Sequence, residues 1–177
     1  MNTLRSVITA SLLMIPALAA AQDVKIDFDK AFDFSTVKTY SIAIGTKWGN
    51  DLSERRVLAE FDQEIAGKGW KKVTDNPNII VVLHGATQAK RNASTHYSGM
   101  GGYGYRGFGG MGTATTLVNE YTVGTLVVDM FNASNKNLVF RGTAEDEISD
   151  NPDKNKSRLE KASSKMFKNF PPAAKTK

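Results

Sequence analysis

Cysteine is absent from these 177 residues, and histidine occurs only twice. Without a thiol there can be no disulfide, no thiolate metal site and no cysteine nucleophile. Lipid attachment to an N-terminal cysteine is excluded on the same ground. No apolar run reaches the roughly 20 residues that span a bilayer as a helix, so the chain reads as not integral to a membrane. Charge of one sign is also scarce. The sequence holds 23 basic and 18 acidic residues, a formal net charge of +5. That excess favours anionic surfaces only slightly and does not argue for nucleic acid.

What is present begins with MNTLRSVITASLLMIPALAAAQ. Arg5 supplies a positive start, residues 7–18 are apolar apart from Thr9 and Ser11, and Ala17, Ala19, Ala20 and Ala21 offer A-x-A sites. This is the pattern of a secretory signal peptide. Residues 1–21 are expected to be removed and residues 22–172 to form a single domain, with a disordered tail at 173–177. The expected location is the periplasm.

Period-two alternation predicts strands over residues 24–29 (VKIDFD) and 39–44 (TYSIAI). The aromatic residues Phe32 and Phe34 between them are expected to tuck under the sheet edge. A helix is predicted over about residues 52–68, capped by Asp51 with Glu54 three positions on, with Leu58, Phe61 and Ile65 on its apolar stripe. Gly67 and Gly69 stop it, and Trp70 covers that end. The run IIVVL at 79–83 predicts a central strand, after which the pattern turns polar through Thr95. Further strands are predicted over 114–122, 125–131 and 138–148, with a polar turn ASNKN at 133–137. A last helix opens at Asp150-Asn151-Pro152 and carries Leu159, Ala162, Met166 and Phe170 on one stripe. Pro171-Pro172 ends it. The expected fold class is therefore α+β: an antiparallel sheet of about five to six strands with two helices packed on one face, in the order β-β-α-β-β-β-β-α.

Residues 97–112 (YSGMGGYGYRGFGGMG) are low in complexity. They contain a G-x-G-x-x-G match, but no helix opens after it, so no phosphate would meet a helix N-terminus. The tract reads as a flexible Gly/Tyr-rich loop between two strands. Tyr97, Tyr103, Tyr105, Arg106 and Phe108 are its candidate contact surface, with Met111 beside them. Ser35 to Lys38 matches S-x-x-K and Ser149-Asp150-Asn151 matches S-D-N, the order found in serine penicillin-recognising enzymes. Ser35 leads into a strand rather than opening a buried helix, and no K-T-G follows, so that reading is rejected. His84 and His96 lack a metal-binding spacing. The acidic set Glu145, Asp146, Glu147, Asp150 and Asp153 lacks the glycine and spacing of a calcium loop. Lys154, Lys156, Arg158, Lys161, Lys165 and Lys168 give the last helix a solvated basic face. No catalytic, cofactor-binding or metal-binding residue is assigned, and no cofactor is expected.

Three stretches together resemble a known family: VKIDFDKAFDFSTVKTYSI, then DNPNIIVVLHGATQ with the Gly/Tyr tract, then the segment running from YTVGTLVVDMF to KNFPP. GTLVVD at 124–129 and VFRGTA at 139–144 are its most specific parts. The chain resembles the bacterial exported family catalogued as domain of unknown function 4136. The resemblance implies a Gram-negative envelope protein and carries no established activity. Many relatives look like lipoproteins, whereas this chain has no lipobox cysteine. The functional expectation is a soluble periplasmic, non-enzymatic binding or envelope-associated protein whose partner is an unknown envelope protein or lipid. A lipid or small-ligand binding module, with a pocket between sheet and helices, is the alternative. A hydrolase ranks below both.

Overall fold

In the computed structural model, residues 22–47, 50–98 and 113–172 are described. Strand β1 is Asp23–Phe28 and β2 is Thr39–Thr46, with a single 3-10 turn, Phe34–Thr36, between them. Helix α1 (Asp51–Gly67) follows, then the two-residue strand β3 (Lys71–Lys72). Strands β4 (Ile79–Ser98) and β5 (Thr113–Asn132) are 20 residues each; β6 (Leu138–Ile148) and helix α2 (Pro152–Phe167) complete the chain.

The six strands form one sheet in the order β1-β6-β5-β4-β2-β3. The expected α+β class holds, and IIVVL is internal, flanked by β5 and β2. The sheet is mixed, however, and not antiparallel throughout. The β1–β6, β6–β5 and β5–β4 pairs are antiparallel, while β2 runs parallel to both β4 and β3. The reason is α1. A helix between two neighbouring strands carries the chain back to its starting end, so the second strand enters parallel to the first.

The strand boundaries also differ from expectation. The polar stretch after Leu83 continues β4 to Ser98, and the segments at 114–122 and 125–131 are one uninterrupted strand. Polar residues do not end a strand that has solvent on both faces. Apolar alternation marks only the part of a strand that crosses a core.

The core lies between one sheet face and the two helices. Tyr40, Ile79, Val81, Leu83, Val128, Met130 and Phe140 meet Phe61 and Ile65 of α1 and Ala162, Met166 and Phe167 of α2. The sheet residues obey the pleat: Leu83 pairs with Val128, Val81 with Met130, and Met130 with Phe140, all on one face. Ser163 of α2 is fully buried and donates to Glu60 of α1 at 2.6 Å, which ties the helices together by a polar contact.

At one end of this core the aromatic residues collect. Phe170 is 5.5 Å from Phe34, 5.2 Å from Trp70, 5.2 Å from Phe140 and 5.1 Å from Phe167, ring centre to ring centre. Each such pair contributes about 0.5–1.5 kcal/mol beyond area burial. Phe34 is buried and Phe32 partly so, as their placement between β1 and β2 suggested. Trp70 is buried just beyond the C-terminus of α1, where Gly69 takes φ +88°. One cap differs from expectation. Asn50, not Asp51, caps α1, its Oδ1 accepting from the backbone N–H groups of Leu52 and Ser53 at 3.0 and 3.2 Å. Both residue types make good caps, and the one with extended backbone takes the role.

Candidate functional site

Beyond the packed core, the helix-facing side of the sheet loses its large side chains. Gly85 is the next same-face residue after Leu83 on β4, Gly124 lies two same-face steps from Val128 on β5, and Ala144 of β6 pairs with Leu126 between them. Val57 of α1 and Leu159 and Ala162 of α2 close the space from above. The result is a cleft of about 440 Å³, open to solvent. That is within the range of small-molecule sites. Leu126 sits on the floor, paired with Gly85 and Ala144 across the ladder.

Both helices present their first turns to this cleft. Asn50 and Ser53 line it from α1, and Pro152 and Asn155 from α2. Asn151 caps α2, accepting from the Asp153 N–H at 2.9 Å, with Pro152 as its first helical residue, as the sequence predicted. Asn155 holds the turn before α2 by a reciprocal pair: its Oδ1 accepts from the Ser149 N–H at 2.8 Å, and its Nδ2 donates to the Ser149 carbonyl at 2.6 Å. The rim thus stands on capped helix ends.

Charge at the mouth is mixed. Arg56, Lys156 and Arg158 face Asp146 and Glu147. Arg158 lies 3.8 Å from Asp146 and also donates to the Glu147 carbonyl. Gln22, immediately before β1, donates through Nε2 to the Arg158 carbonyl at 2.8 Å. Its Oε1 is buried and has no hydrogen-bond partner among the described residues. A buried acceptor left unpaired costs about 1–3 kcal/mol.

A second polar cluster lies on the opposite face of the sheet. Asp129 is buried and accepts two bonds from Arg141, each 2.6 Å, directly across the β5–β6 ladder. This pairing raises the Arg141 pKa further above its ordinary value, through the hydrogen bond first and the charge second. His84 places Nε2 4.0 Å from Asp129 and Nδ1 2.9 Å from the Thr46 hydroxyl. A Thr–His–Asp line is thereby formed, but as chemistry it is incomplete. The His–Asp separation exceeds a hydrogen bond, and both carboxylate oxygens are committed to Arg141. The hydroxyl lies on an exposed sheet face rather than in the cleft.

Sequence reasoning anticipated neither the cleft residues nor this cluster. The pairs Asp129–Arg141 and Thr46–His84 are contacts between strands, and alternation gives the face of a residue but not its neighbour. Of the expected contact surface, Tyr97 has its backbone in β4 and its side chain outside the described residues. Tyr103, Tyr105, Arg106 and Phe108 also lie outside the described residues, as do Met111, the leader at 1–21 and the tail at 173–177. The side chain of His96 is likewise outside them. Ser35 lies in the 3-10 turn and donates to Asp33 at 2.6 Å. Among the described residues no group of three or more histidine and acidic residues is placed to hold a metal ion, and no helix is long and apolar enough to cross a membrane.

A family model described as Domain of unknown function (DUF4136) matches residues 24–172. No curated protein matches. Among solved structures, a PDZ domain protein from Parabacteroides distasonis aligns with a TM-score of 0.52 at 12% identity. The alignment covers 86% of this chain and 36% of that one, so this chain spans about a third of that protein's length. PelC from Paraburkholderia phytofirmans, solved as a dodecamer, aligns with a TM-score of 0.50 at 10% identity, over 83% of this chain and 95% of that one. At these identities the likeness is one of fold.

Proposed function

The chain belongs to the DUF4136 family over residues 24–172, and from that premise we propose that it is an exported, non-catalytic binding protein of the periplasm that holds a small ligand in the sheet–helix cleft. The observation that carries this reading is the cleft itself. It joins an apolar floor at Leu126 and an apolar roof of Val57 and Leu159 to a polar rim that includes Asn50, Ser53 and Asn155. A ligand with a compact apolar body and a polar group at the rim fits both. The arrangement is the usual one for small-molecule recognition, in which apolar walls supply affinity and a few polar groups fix orientation. The incomplete Thr46–His84–Asp129 line supports binding over hydrolysis.

Native mass spectrometry of the protein purified from the periplasm tests the proposal. The expected result is a co-purifying adduct that is lost in Thr87→Trp, an exposed position of the cleft wall where an indole would fill the space. A bare mass in the unaltered protein counts against the reading. So does an adduct unaffected by Thr87→Trp.

A second reading concerns the Gly/Tyr tract. Strands β4 and β5 carry its two ends past the body of the sheet, since the ladder continues from Ala89–Thr122 to Ser98–Thr113, roughly 30 Å at the rise of a strand. An envelope partner or lipid would meet this tip before the body. Removal of residues 100–112 would then abolish capture of that partner from envelope extract while sparing the fold. Unchanged capture would remove this second reading.

A further inference from the structure

We propose that the projecting β4–β5 ribbon pairs edge to edge with the same ribbon of a second copy of this chain, β5 against β5. The argument starts from backbone hydrogen bonding. On one side β2 leaves the ladder at Thr46–His84, and on the other β6 ends at Ile148, opposite Thr122. Past those points, among the described residues, β4 and β5 pair only with each other, and each offers an open edge of N–H and C=O groups. A two-stranded ribbon is marginal in water, and long open edges are templates for another strand.

The two edges are not equivalent. That of β4 reads NASTHYS over residues 92–98, mostly small and polar, with Lys90 and Arg91 at its base to blunt it. That of β5 reads TATTLVN over residues 113–119, without a charge or a proline, and is rich in β-forming side chains. Leu117 and Val118 point to opposite faces and are 52% and 57% exposed. Their partners on β4, Ser94 and Ala93, are too small to cover them.

Charge and symmetry select the occupant. Two β4 edges brought together antiparallel at their base would oppose two lysines at position 90, each beside an Arg91 already held by Glu120 at 2.6 Å, whereas two β5 edges meet no like charge and match Leu117 and Val118 with apolar or β-forming side chains. In the two-fold register centred on Leu117, that residue faces its own copy. Val118 faces Thr116, and Glu120, the one charge near the joint, faces residue 114, an alanine. Such a contact is self-complementary, as a closed dimer requires. The space for it exists, because the incoming strand takes the place that β6 vacates after Ile148. This inference is independent of the cleft and survives or fails without it.

The chain's lack of cysteine makes the test direct. Directly opposed residues in an antiparallel pair have the separation a disulfide spans. Leu117→Cys is therefore expected to oxidise to a covalent dimer, whereas Ser94→Cys, on the neighbouring strand of the same ribbon, is not. By light scattering after size exclusion, the unaltered protein should show a concentration-dependent dimer. Leu117→Lys and Leu117→Glu should each be monomeric, and their mixture should recover the dimer. The position is exposed, and circular dichroism checks that each variant is folded. A protein that is monomeric at every concentration, or a Leu117→Cys variant that cross-links no better than Ser94→Cys, overturns the proposal.

Discussion

At Asp129 a carboxylate with 3% exposure stands beside a half-exposed arginine, and the asymmetry determines what each substitution does. Arg141→Met leaves the acid buried with its strongest donors gone. The expected loss is about 1–3 kcal/mol in urea unfolding, the cost of an unpaired buried polar group. Asp129→Val with Arg141→Met removes both members and should recover much of that loss, because an apolar pair carries no desolvation cost. Tyr40 is the other informative residue. It has no exposed surface, and its hydroxyl donates to Asp62 at 2.8 Å, while Asp62 also receives Lys72 at 3.0 Å. Burial first, and then Asp62, pushes the phenol pKa above its ordinary range. The neutral phenol is thus favoured in the folded state, so its contribution is complete below about pH 10, where the unfolded phenol begins to ionise. Above that pH stability falls as the unfolded chain gives up the proton first. Tyr40→Phe should cost about 1 kcal/mol at neutral pH and show a shallower decline between pH 9 and 11 in equilibrium unfolding.

Among the elements, α2 depends on a close approach to β6. Gly142 lies on the helix-facing side of β6, and a side chain there would overlap Met166, which is buried in the core. Gly142→Val should therefore displace the helix and cost about 1–3 kcal/mol, the usual penalty of overpacking. For a domain of this size each kcal/mol lowers the melting temperature by about 2–4 °C. The cap at Asn151 is independent of that contact, and Asn151→Ala should cost about 1 kcal/mol. Both helices were legible in the sequence from their 3.6-residue spacing between capping and breaking residues, although Asn50 rather than Asp51 caps α1, and α2 ends at Phe167, so that Phe170 packs on the core from beyond the helix. The strands were legible where they cross the core and, on β5, also over 114–122 in the ribbon. Thus 79–83 and 125–131 stood out, whereas residues 84–98 did not, since that polar stretch of a ribbon wet on both faces has no hydrophobic alternation to read. The strand β3, two lysines held against β2, has no local signal at all.

Taken whole, the molecule divides into a body and an arm. Among the described residues, no side chain of the buried core lies between Leu83 and Val123 along the chain. Replacing residues 90–121 with an Asn-Gly turn, which suits a two-residue hairpin, should therefore leave a cooperative unfolding transition with a midpoint within a few degrees of the full chain. A large loss of stability on that deletion would show that the arm packs on the body. The cleft belongs to the body and the open edges to the arm, so the two can be altered separately. What the sequence determined by itself was the absence of thiol chemistry, the α+β class, both helices and the apolar stripe each one buries. All of these follow from composition and from periods of two and 3.6, which a local stretch carries whole. Only the tertiary structure decided the parallel entry of β4 beside β2, the cleft above Gly85 and Gly124, the Asp129–Arg141 pair and the open edges of the ribbon. Each of these is a relation between segments distant in the chain, fixed by which strands become neighbours and where their ladders stop.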